Sequence, residues 1–156
     1  MSGTIAEHLH GKSKVHLDSV VLIYFIERNP RYLHVLRPLF DLIDEQRIEG
    51  SSSFVTLIEV LVKPLKEGRA DLAGQYREVL LRSRNFGLLV VDEAIAESSA
   101  EIAARFSFRT PDAIQLATAR KHGAEAFVTN DHELKRFDQV EVLILDDFVE
   151  VKPGSS

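Results

Sequence analysis

Four acidic side chains, spread along most of the chain, are the residues most able to do chemistry. Asp18 and Asp131 each follow a short apolar run, and Asp112 lies at the front of a helix-like stretch. Glu59 lies inside an apolar segment, where an unpaired carboxylate costs several kcal/mol of folding free energy. This carboxylate must therefore reach water, a cation or a hydrogen-bond donor, and Lys63, one helical turn later, is one candidate partner.

Each aspartate also has an ordinary structural explanation. Asp18 and Asp131 can cap the helical segments that follow them. Asp112 falls in the first turn of its helix, where the helix dipole favours a negative charge by roughly 0.3–1 kcal/mol. Two further acids follow apolar runs in the same way, so position along the chain does not by itself separate a site from a cap. These are Asp92 and Asp146.

The four acids taken as a set favour a metal site. Four carboxylates in one cleft raise one another's pKa values, and a divalent cation relieves that repulsion. Mg²⁺ and Mn²⁺ prefer oxygen ligands, whereas zinc normally takes histidine or cysteine. The chain has no cysteine, and its six histidines show no ligand spacing, although His132 lies beside Asp131.

Alternating apolar runs and helical patterns predict the elements that bring these acids together. Runs that are apolar on both faces and alternate with helices indicate a parallel sheet covered on both sides, and so an α/β fold, a three-layer α/β/α sandwich of about five strands. Ligands of such sheets bind beyond the carboxyl ends of the strands, where the strand order reverses. The runs are 14–18, 48–53, 87–91, 126–130 and 140–145, and the helical segments are 19–29, 31–47, 54–68, 70–84, 93–108 and 109–123.

Length and composition indicate one domain with a substantial core. The chain has 156 residues, 45% of them hydrophobic, and no apolar run approaches the roughly 20 residues that span a bilayer. We expect a flexible N-terminal arm over residues 1–13, a folded domain over 14–150 and a tail over 151–156. The polar opening lacks the order of a secretory signal, which favours a cytoplasmic location.

The net charge of −5 argues against a protein that coats nucleic acid through diffuse positive charge. A local basic rim remains compatible with this charge, although such residues are more often the solvated faces of helices. The candidates are Lys63, Lys66, Arg69, Arg77, Arg82, Arg84, Lys135 and Arg136.

Four segments in order resemble the acidic motifs of PIN-domain (PilT N-terminus) nucleases, particularly VapC-like toxins of bacterial toxin–antitoxin pairs. The segments are "VHLDSVVLIYFIE", "SSSFVTLIEVL", "RTPDAIQLATA" and "FVTNDHELK". The resemblance runs from Val15 to Leu145. Its most specific features are S-x-x-T-x-x-E, from Ser53 to Glu59, and "PDA" before an alanine-rich helix.

This resemblance implies a metal-binding and catalytic pocket made by the four acids, with polar side chains supporting it. Many relatives carry a small hydroxyl residue two positions after the first aspartate, where this chain has Val20, so one supporting hydrogen bond to the site is in doubt. The implied ligands are Asp18, Glu59, Asp112 and Asp131, and the implied supporting residues are Ser19, Thr56, Thr129 and Asn130.

The function implied by the resemblance is a Mg²⁺- or Mn²⁺-dependent endoribonuclease that cuts tRNA, rRNA or mRNA and leaves 5′-phosphate and 3′-hydroxyl ends. The family also implies a homodimer and a small antitoxin that inserts a segment into the acidic cleft. Such a segment can carry an arginine that pairs with the carboxylates in place of metal. The apolar segments 20–29 and 31–40 are candidates for the dimer surface, or simply for the core.

Two rival functions also fit an acidic cleft. A phospho-acceptor signalling module of the response-regulator type needs two acids after the first strand, an acceptor such as Asp92 and a lysine after the fifth strand. The chain has one acid in "LDSV" and no lysine in "VLILDDFVE", and an aspartyl phosphatase lacks its second aspartate at Ser19-Val20. The other rival is a non-catalytic protein-interaction scaffold.

Overall fold

Five short strands form one sheet in which every neighbouring pair is parallel. The computed structural model describes residues 3–149. The strand order is β3-β2-β1-β4-β5, so β1 is central. The chain adds β2 and β3 on one side of β1 and then β4 and β5 on the other, so the strand order reverses between the neighbours β1 and β4. The strands are β1 (Lys14–Leu17), β2 (Glu49–Ser53), β3 (Phe86–Leu89), β4 (Ala126–Thr129) and β5 (Glu141–Ile144).

Helices fill the connections between the strands, as the alternating pattern predicts. The α-helices are α1 (Ile5–His8), α2 (Ser19–Ile26), α3 (Leu33–Asp44), α4 (Phe54–Lys66), α5 (Ala70–Arg82), α6 (Glu93–Phe106) and α7 (Thr110–Lys121). Two short 3₁₀ helices follow β4 and β5, at His132–Arg136 and Leu145–Phe148. Within residues 3–149, no helix is both long enough and apolar enough to span a membrane.

Two apolar clusters, one on each face of the sheet, give the fold its three layers. Val128 belongs to the cluster that contains α2 and α3, whereas its neighbour Phe127 belongs to the cluster that contains α6 and α7. Successive side chains of a strand point to opposite faces, so β4 and β5 each supply both clusters. The predicted three-layer α/β/α sandwich with a parallel sheet is therefore confirmed.

Local sequence signals set the ends of the two helices that matter most for the site. α4 begins after Ser53, whose hydroxyl accepts a hydrogen bond from the backbone N–H of Val55. α7 begins at Thr110, with a proline in its first turn, and Gly123 follows its end with a φ of 74° that suits glycine. Arg109 occupies the N-cap position of α7, where it makes no side-chain cap.

The N-terminal segment differs from the predicted flexible arm over residues 1–13. Residues 5–8 form α1, which packs against α3. Ile5 and Leu9 are almost completely buried in the larger apolar cluster. The sequence signal was weak because only two apolar side chains anchor a single helical turn. The predicted tail, 151–156, lies outside the described residues.

Candidate functional site

A pocket of about 220 Å³ opens at the carboxyl edge of the sheet, where β1 and β4 end side by side. This is the point at which the strand order reverses, as expected for the ligand site of a parallel sheet. All four candidate acids line it. The lining residues are Asp18, Ser19, Val20, Tyr24, Glu59, Arg109, Asp112, Thr129, Asn130 and Asp131.

Asp18 is the most buried carboxylate of the pocket, with 7% of its surface exposed. One carboxylate oxygen accepts a hydrogen bond from the Ser19 N–H at 2.9 Å, and the other accepts one from the Thr129 hydroxyl at 2.7 Å. The pKa of Asp18 is raised to about 6, chiefly by burial; the two hydrogen bonds lower it, and the nearby charges of Asp112 and Glu59 contribute to the rise. Asp18 therefore caps α2 and also belongs to the acidic cluster.

Glu59 reaches the pocket from the second turn of α4, with its side chain open to solvent. Partial desolvation raises the pKa of Glu59, a hydrogen bond from Ser19 lowers it, and the neighbouring charge of Asp112 raises it again. Within residues 3–149, Glu59 forms no ion pair with Lys63, the alternative partner considered from the sequence. The side chain is thus directed to the acidic cluster instead.

Asp112 and Arg109 form an ion pair at the start of α7. The guanidinium Nε of Arg109 donates to a carboxylate oxygen of Asp112 at 3.3 Å. The Asp112 side chain is largely buried, whereas that of Arg109 is 76% exposed. The charge of Asp112, followed by those of Glu59 and Asp131, raises the pKa of Arg109. Arg109 therefore places one positive charge among the four acids.

Asp131 and its neighbours form the wall of the pocket that follows β4. The N–H of Asp131 donates to the Thr129 hydroxyl at 3.2 Å, and its carboxylate accepts from the N–H of Glu133 at 3.0 Å, which caps the first 3₁₀ helix. The side-chain oxygen of Asn130 accepts from the N–H of Asp146 at 3.0 Å. These bonds fix the turn that carries Asp131.

The structure brings seven of the eight predicted site residues to the pocket wall and leaves Thr56 outside it. Thr56 is fully buried beneath the pocket. The two acids that resembled the site residues in sequence have other roles. Asp92 caps α6 by accepting from the N–H of Ile95 at 2.8 Å, and Asp146 accepts a hydrogen bond from the Tyr32 hydroxyl at 2.6 Å.

Two lining residues, Arg109 and Tyr24, were not identified from the sequence. Arg109 did offer a signal, because a cation at the first turn of a helix opposes the helix dipole and needs another reason to be there. Tyr24 is half-buried on the apolar helix α2 and shows no such signal. Val20 also lines the pocket, where its side chain presents an apolar surface and no hydroxyl.

The donor chemistry of the pocket fits a hard divalent cation. All four acidic side chains offer oxygen ligands, and the raised pKa of Asp18 reflects a charge that a nearby cation would stabilise. Among residues 3–149, however, no three acidic, histidine or cysteine side chains already stand at the spacing of metal ligands. Binding would therefore require the carboxylates to converge.

An α/β/α sandwich with a pocket at the reversal point of its parallel sheet has its pocket where proteins of this architecture bind their ligands. The family model for the PIN domain matches residues 15–140, and the chain belongs to the PIN domain family. A search of curated proteins finds no significant match.

Solved structures support the same fold. The structure of VapBC2 from Rickettsia felis bound to a promoter DNA fragment is 14% identical with a TM-score of 0.69, covering 84% of this chain and 98% of the other. DNA-bound VapBC from Salmonella typhimurium is 20% identical with a TM-score of 0.66, covering 85% and 98%. A toxin–antitoxin complex from Klebsiella pneumoniae is 22% identical with a TM-score of 0.61, covering 84% and 97%.

Proposed function

We propose that this protein is a metal-dependent endoribonuclease that hydrolyses RNA phosphodiester bonds, as the toxin of a toxin–antitoxin pair. The observation that carries the proposal is that four carboxylates from separate parts of the fold line one pocket of a PIN domain. Neither the sequence nor the pocket offers a Ser-His-Asp arrangement or a cysteine nucleophile. Hydrolysis by a bound water is the chemistry that this set of side chains supports.

The four carboxylates would hold Mg²⁺ or Mn²⁺. When bound, a divalent cation lowers the pKa of a water ligand and stabilises negative charge on the leaving oxygen. Asp18 and Asp112 are the buried members of the set, so their orientation is fixed by the protein. Glu59 and Asp131 are open to solvent and can turn toward a cation. Ser19 and Thr129 keep the Asp18 carboxylate oriented through their hydrogen bonds.

Arg109 is the side chain best placed to receive the RNA phosphate. Among residues 3–149, the one side-chain hydrogen bond of Arg109 runs from its Nε to Asp112, so the terminal nitrogens of this exposed guanidinium can donate to phosphate oxygens. Contacts of this kind position a strand without reading its sequence. The identity of the RNA, whether tRNA, rRNA or mRNA, would therefore depend on surfaces outside the pocket.

A small antitoxin and a second copy of this chain are the partners we propose. The antitoxin is supported by the solved neighbours, which are described as toxin–antitoxin and VapBC complexes. The helical segments first considered for a dimer surface are mainly core, because Val21, Leu22, Leu36 and Leu39 are fully buried.

An exposed apolar row on α4 offers a more suitable surface for the second copy. Its side chains recur at helical spacing over about 16 Å, given a rise of 1.5 Å per residue. A monomer rarely exposes so continuous an apolar row. A row of this kind on one helix can pack against its own symmetry copy in a two-fold dimer. The residues are Phe54, Ile58, Val62 and Leu65.

Replacement of Asp112 by Asn tests the proposed activity. The wild-type protein is expected to cleave labelled RNA in Mg²⁺ and not in EDTA, and to leave 5′-phosphate ends. Asp112→Asn should lose at least about a hundredfold in rate, because it removes one buried negative ligand while keeping the side-chain shape. Circular dichroism and urea unfolding would check that the variant folds.

Asp92→Asn is the matched control for this experiment, because Asp92 follows a strand and caps a helix but does not line the pocket. Its cleavage rate should stay within about twofold of wild type. Full activity of Asp112→Asn, or equal cleavage in EDTA, would contradict the proposal.

The alternative of a phospho-acceptor signalling module is not favoured by the position of Asp92. This residue follows β3, which is the edge strand of the sheet and is separated from β1 by β2. The acceptor would therefore stand apart from Asp18, and its carboxylate is already engaged as a helix cap. Incubation with a small phosphodonor should leave the protein unmodified.

A further inference from the structure

A buried row of polar side chains runs beneath the acidic pocket. Gln115 of α7 lies at its centre, with 1% of its surface exposed. The amide oxygen of Gln115 lies 2.7 Å from Nε2 of His16 on β1, and its amide nitrogen donates to the hydroxyl of Thr56 on α4 at 2.6 Å. Thr56 in turn lies 2.7 Å from the Ser52 hydroxyl, and Ser52 donates to the Leu17 carbonyl at 2.6 Å.

One arrangement of protons satisfies the whole row. Because Ser52 gives its proton to the Leu17 carbonyl, Thr56 must donate to Ser52, and Gln115 must donate to Thr56. His16 then donates to Gln115 from Nε2. Burial lowers the pKa of His16 to about 4, so the ring is neutral at pH 7 and its Nδ1 accepts from the Ser51 hydroxyl at 3.1 Å. Among the described residues, no buried side-chain nitrogen or oxygen lacks a partner. The row is therefore a fully satisfied network.

The network touches the three elements that carry three of the four acids. Gln115 lies one helical turn after Asp112 on α7, and Thr56 lies one turn before Glu59 on α4. Leu17, whose carbonyl ends the row, immediately precedes Asp18. In the part of the chain that the structure describes, the Gln115–Thr56 bond is the one side-chain hydrogen bond between α4 and α7.

We propose that Gln115 and Thr56 are positioning residues that set the separation of Glu59 and Asp112, and through it the affinity of the pocket for a divalent cation. This inference rests on the proposed function. Residues that orient metal ligands without touching the metal typically change metal affinity by 10–100-fold when replaced. Neither Gln115 nor Thr56 lines the pocket, so any effect on the metal must pass through the ligands.

A buried network can also serve stability alone, and Thr118 separates the two roles. Thr118 lies on the same helix as Gln115, is fully buried, and donates to the Ile114 carbonyl at 2.6 Å. Its hydrogen bond stays within α7 and links no second element. Thr118→Val therefore removes a buried hydroxyl as Thr56→Val does, while leaving the connection between the helices intact.

The experiment measures Mn²⁺ binding to the full chain without RNA, by electron paramagnetic resonance, together with urea unfolding. We expect Thr56→Val and Gln115→Met to raise the Kd for Mn²⁺ at least about fivefold. Thr56→Ser, which keeps the hydroxyl, and Thr118→Val should stay within about twofold of wild type. Gln115→Met keeps the test decisive if Thr56→Val does not fold.

Two results would overturn the positioning role. One is an unchanged Kd for Mn²⁺ in both Thr56→Val and Gln115→Met. The other is an equal rise of the Kd in Thr118→Val, which would mean that loss of any buried hydrogen bond has the same effect. If the wild-type protein binds no Mn²⁺, the proposed function fails first, and the positioning role fails with it. These outcomes are distinguishable in one series of titrations.

Discussion

Arg109 is the residue whose charge most directly opposes metal binding in this pocket. It pairs with Asp112 and is also coupled to Glu59 and Asp131. A guanidinium in an acidic cleft repels an incoming cation but attracts an incoming phosphate. Because Arg109 occupies the Asp112 carboxylate, a metal ion that binds there must compete with it.

Arg109→Ala is expected to bind Mg²⁺ more tightly, because a positive charge near the cation is removed. The gain should be limited to roughly threefold to tenfold, because the Arg109 side chain is well exposed and solvent screens its charge. The same variant should raise the KM for RNA. Isothermal titration with Mg²⁺ and steady-state cleavage measure the two effects.

Arg82→Ala is the matched control for this prediction, since Arg82 pairs with Glu78 on α5 and does not line the pocket. Its Mg²⁺ affinity should equal that of wild type. Weaker Mg²⁺ binding by Arg109→Ala would mean that Arg109 orders the pocket rather than opposing the cation.

Asp18 makes the metal-free protein sensitive to pH. Its pKa is raised to about 6 from an ordinary value of 3.8, so between these pH values the folded protein keeps the Asp18 proton that the unfolded chain has already lost. As pH rises from about 4 through 6, the buried charge therefore removes stability, on the order of 3 kcal/mol in total. In EDTA, Asp18→Asn should gain stability relative to wild type over this range.

Urea unfolding at several pH values between 4 and 8 measures this difference. The buried His16, whose pKa burial lowers to about 4, contributes an opposite dependence, but it does so equally in both proteins. A stability difference between wild type and Asp18→Asn that stays constant with pH would show that Asp18 is not destabilised by its charge.

At the scale of single elements, β2 shows why low strand propensity did not prevent a strand. Its sequence is EGSSS, and each serine has a structural partner. Ser51 contacts His16, Ser52 donates to the Leu17 carbonyl, and Ser53 caps α4. Gly50 also suits this position, because an added Cβ would lie 2.8 Å from the end of the Ile43 side chain, which would have to shift. Propensity scales contain none of these tertiary contacts.

The outer face of α4 leads to a prediction about assembly. If its apolar row contacts a second copy, a charge in the row should weaken the dimer strongly, because a buried unpaired carboxylate is costly. Leu65→Glu is therefore expected to be monomeric where wild type is dimeric. Sedimentation equilibrium gives the mass of each protein.

Leu81→Glu provides the control, since Leu81 is similarly exposed but lies on α5 outside the row. It should remain dimeric. A monomeric wild-type protein, or a dimeric Leu65→Glu, would rule out this surface as the interface.

At the scale of the whole molecule, topology rather than local sequence makes the site. The order β3-β2-β1-β4-β5 places the ends of β1 and β4 side by side, so Asp18 and Asp131 become neighbours although they lie far apart in sequence. The parallel α/β fold and this meeting of acids could be predicted, because hydrophobic periodicity and the position of acids after strands are local signals.

Other features could not be predicted because they depend on tertiary contacts. The charge of Arg109 meets those of Glu59 and Asp131 only in the folded chain, and Gln115 pairs with partners on two other elements, β1 and α4. The helix α1 is stabilised mainly by the burial of Ile5 and Leu9. In each case, the sequence shows the residue but not the partner that gives it a role.

The central claim is that the four carboxylates bind a common divalent cation. Anomalous diffraction from crystals of the full chain soaked in Mn²⁺ tests this most directly. We expect a manganese peak in the pocket, with Asp18 and Asp112 among its ligands or bonded to its water ligands, and with Glu59 or Asp131 turned toward it. An empty pocket at saturating Mn²⁺, with Arg109 still paired to Asp112, would contradict the claim.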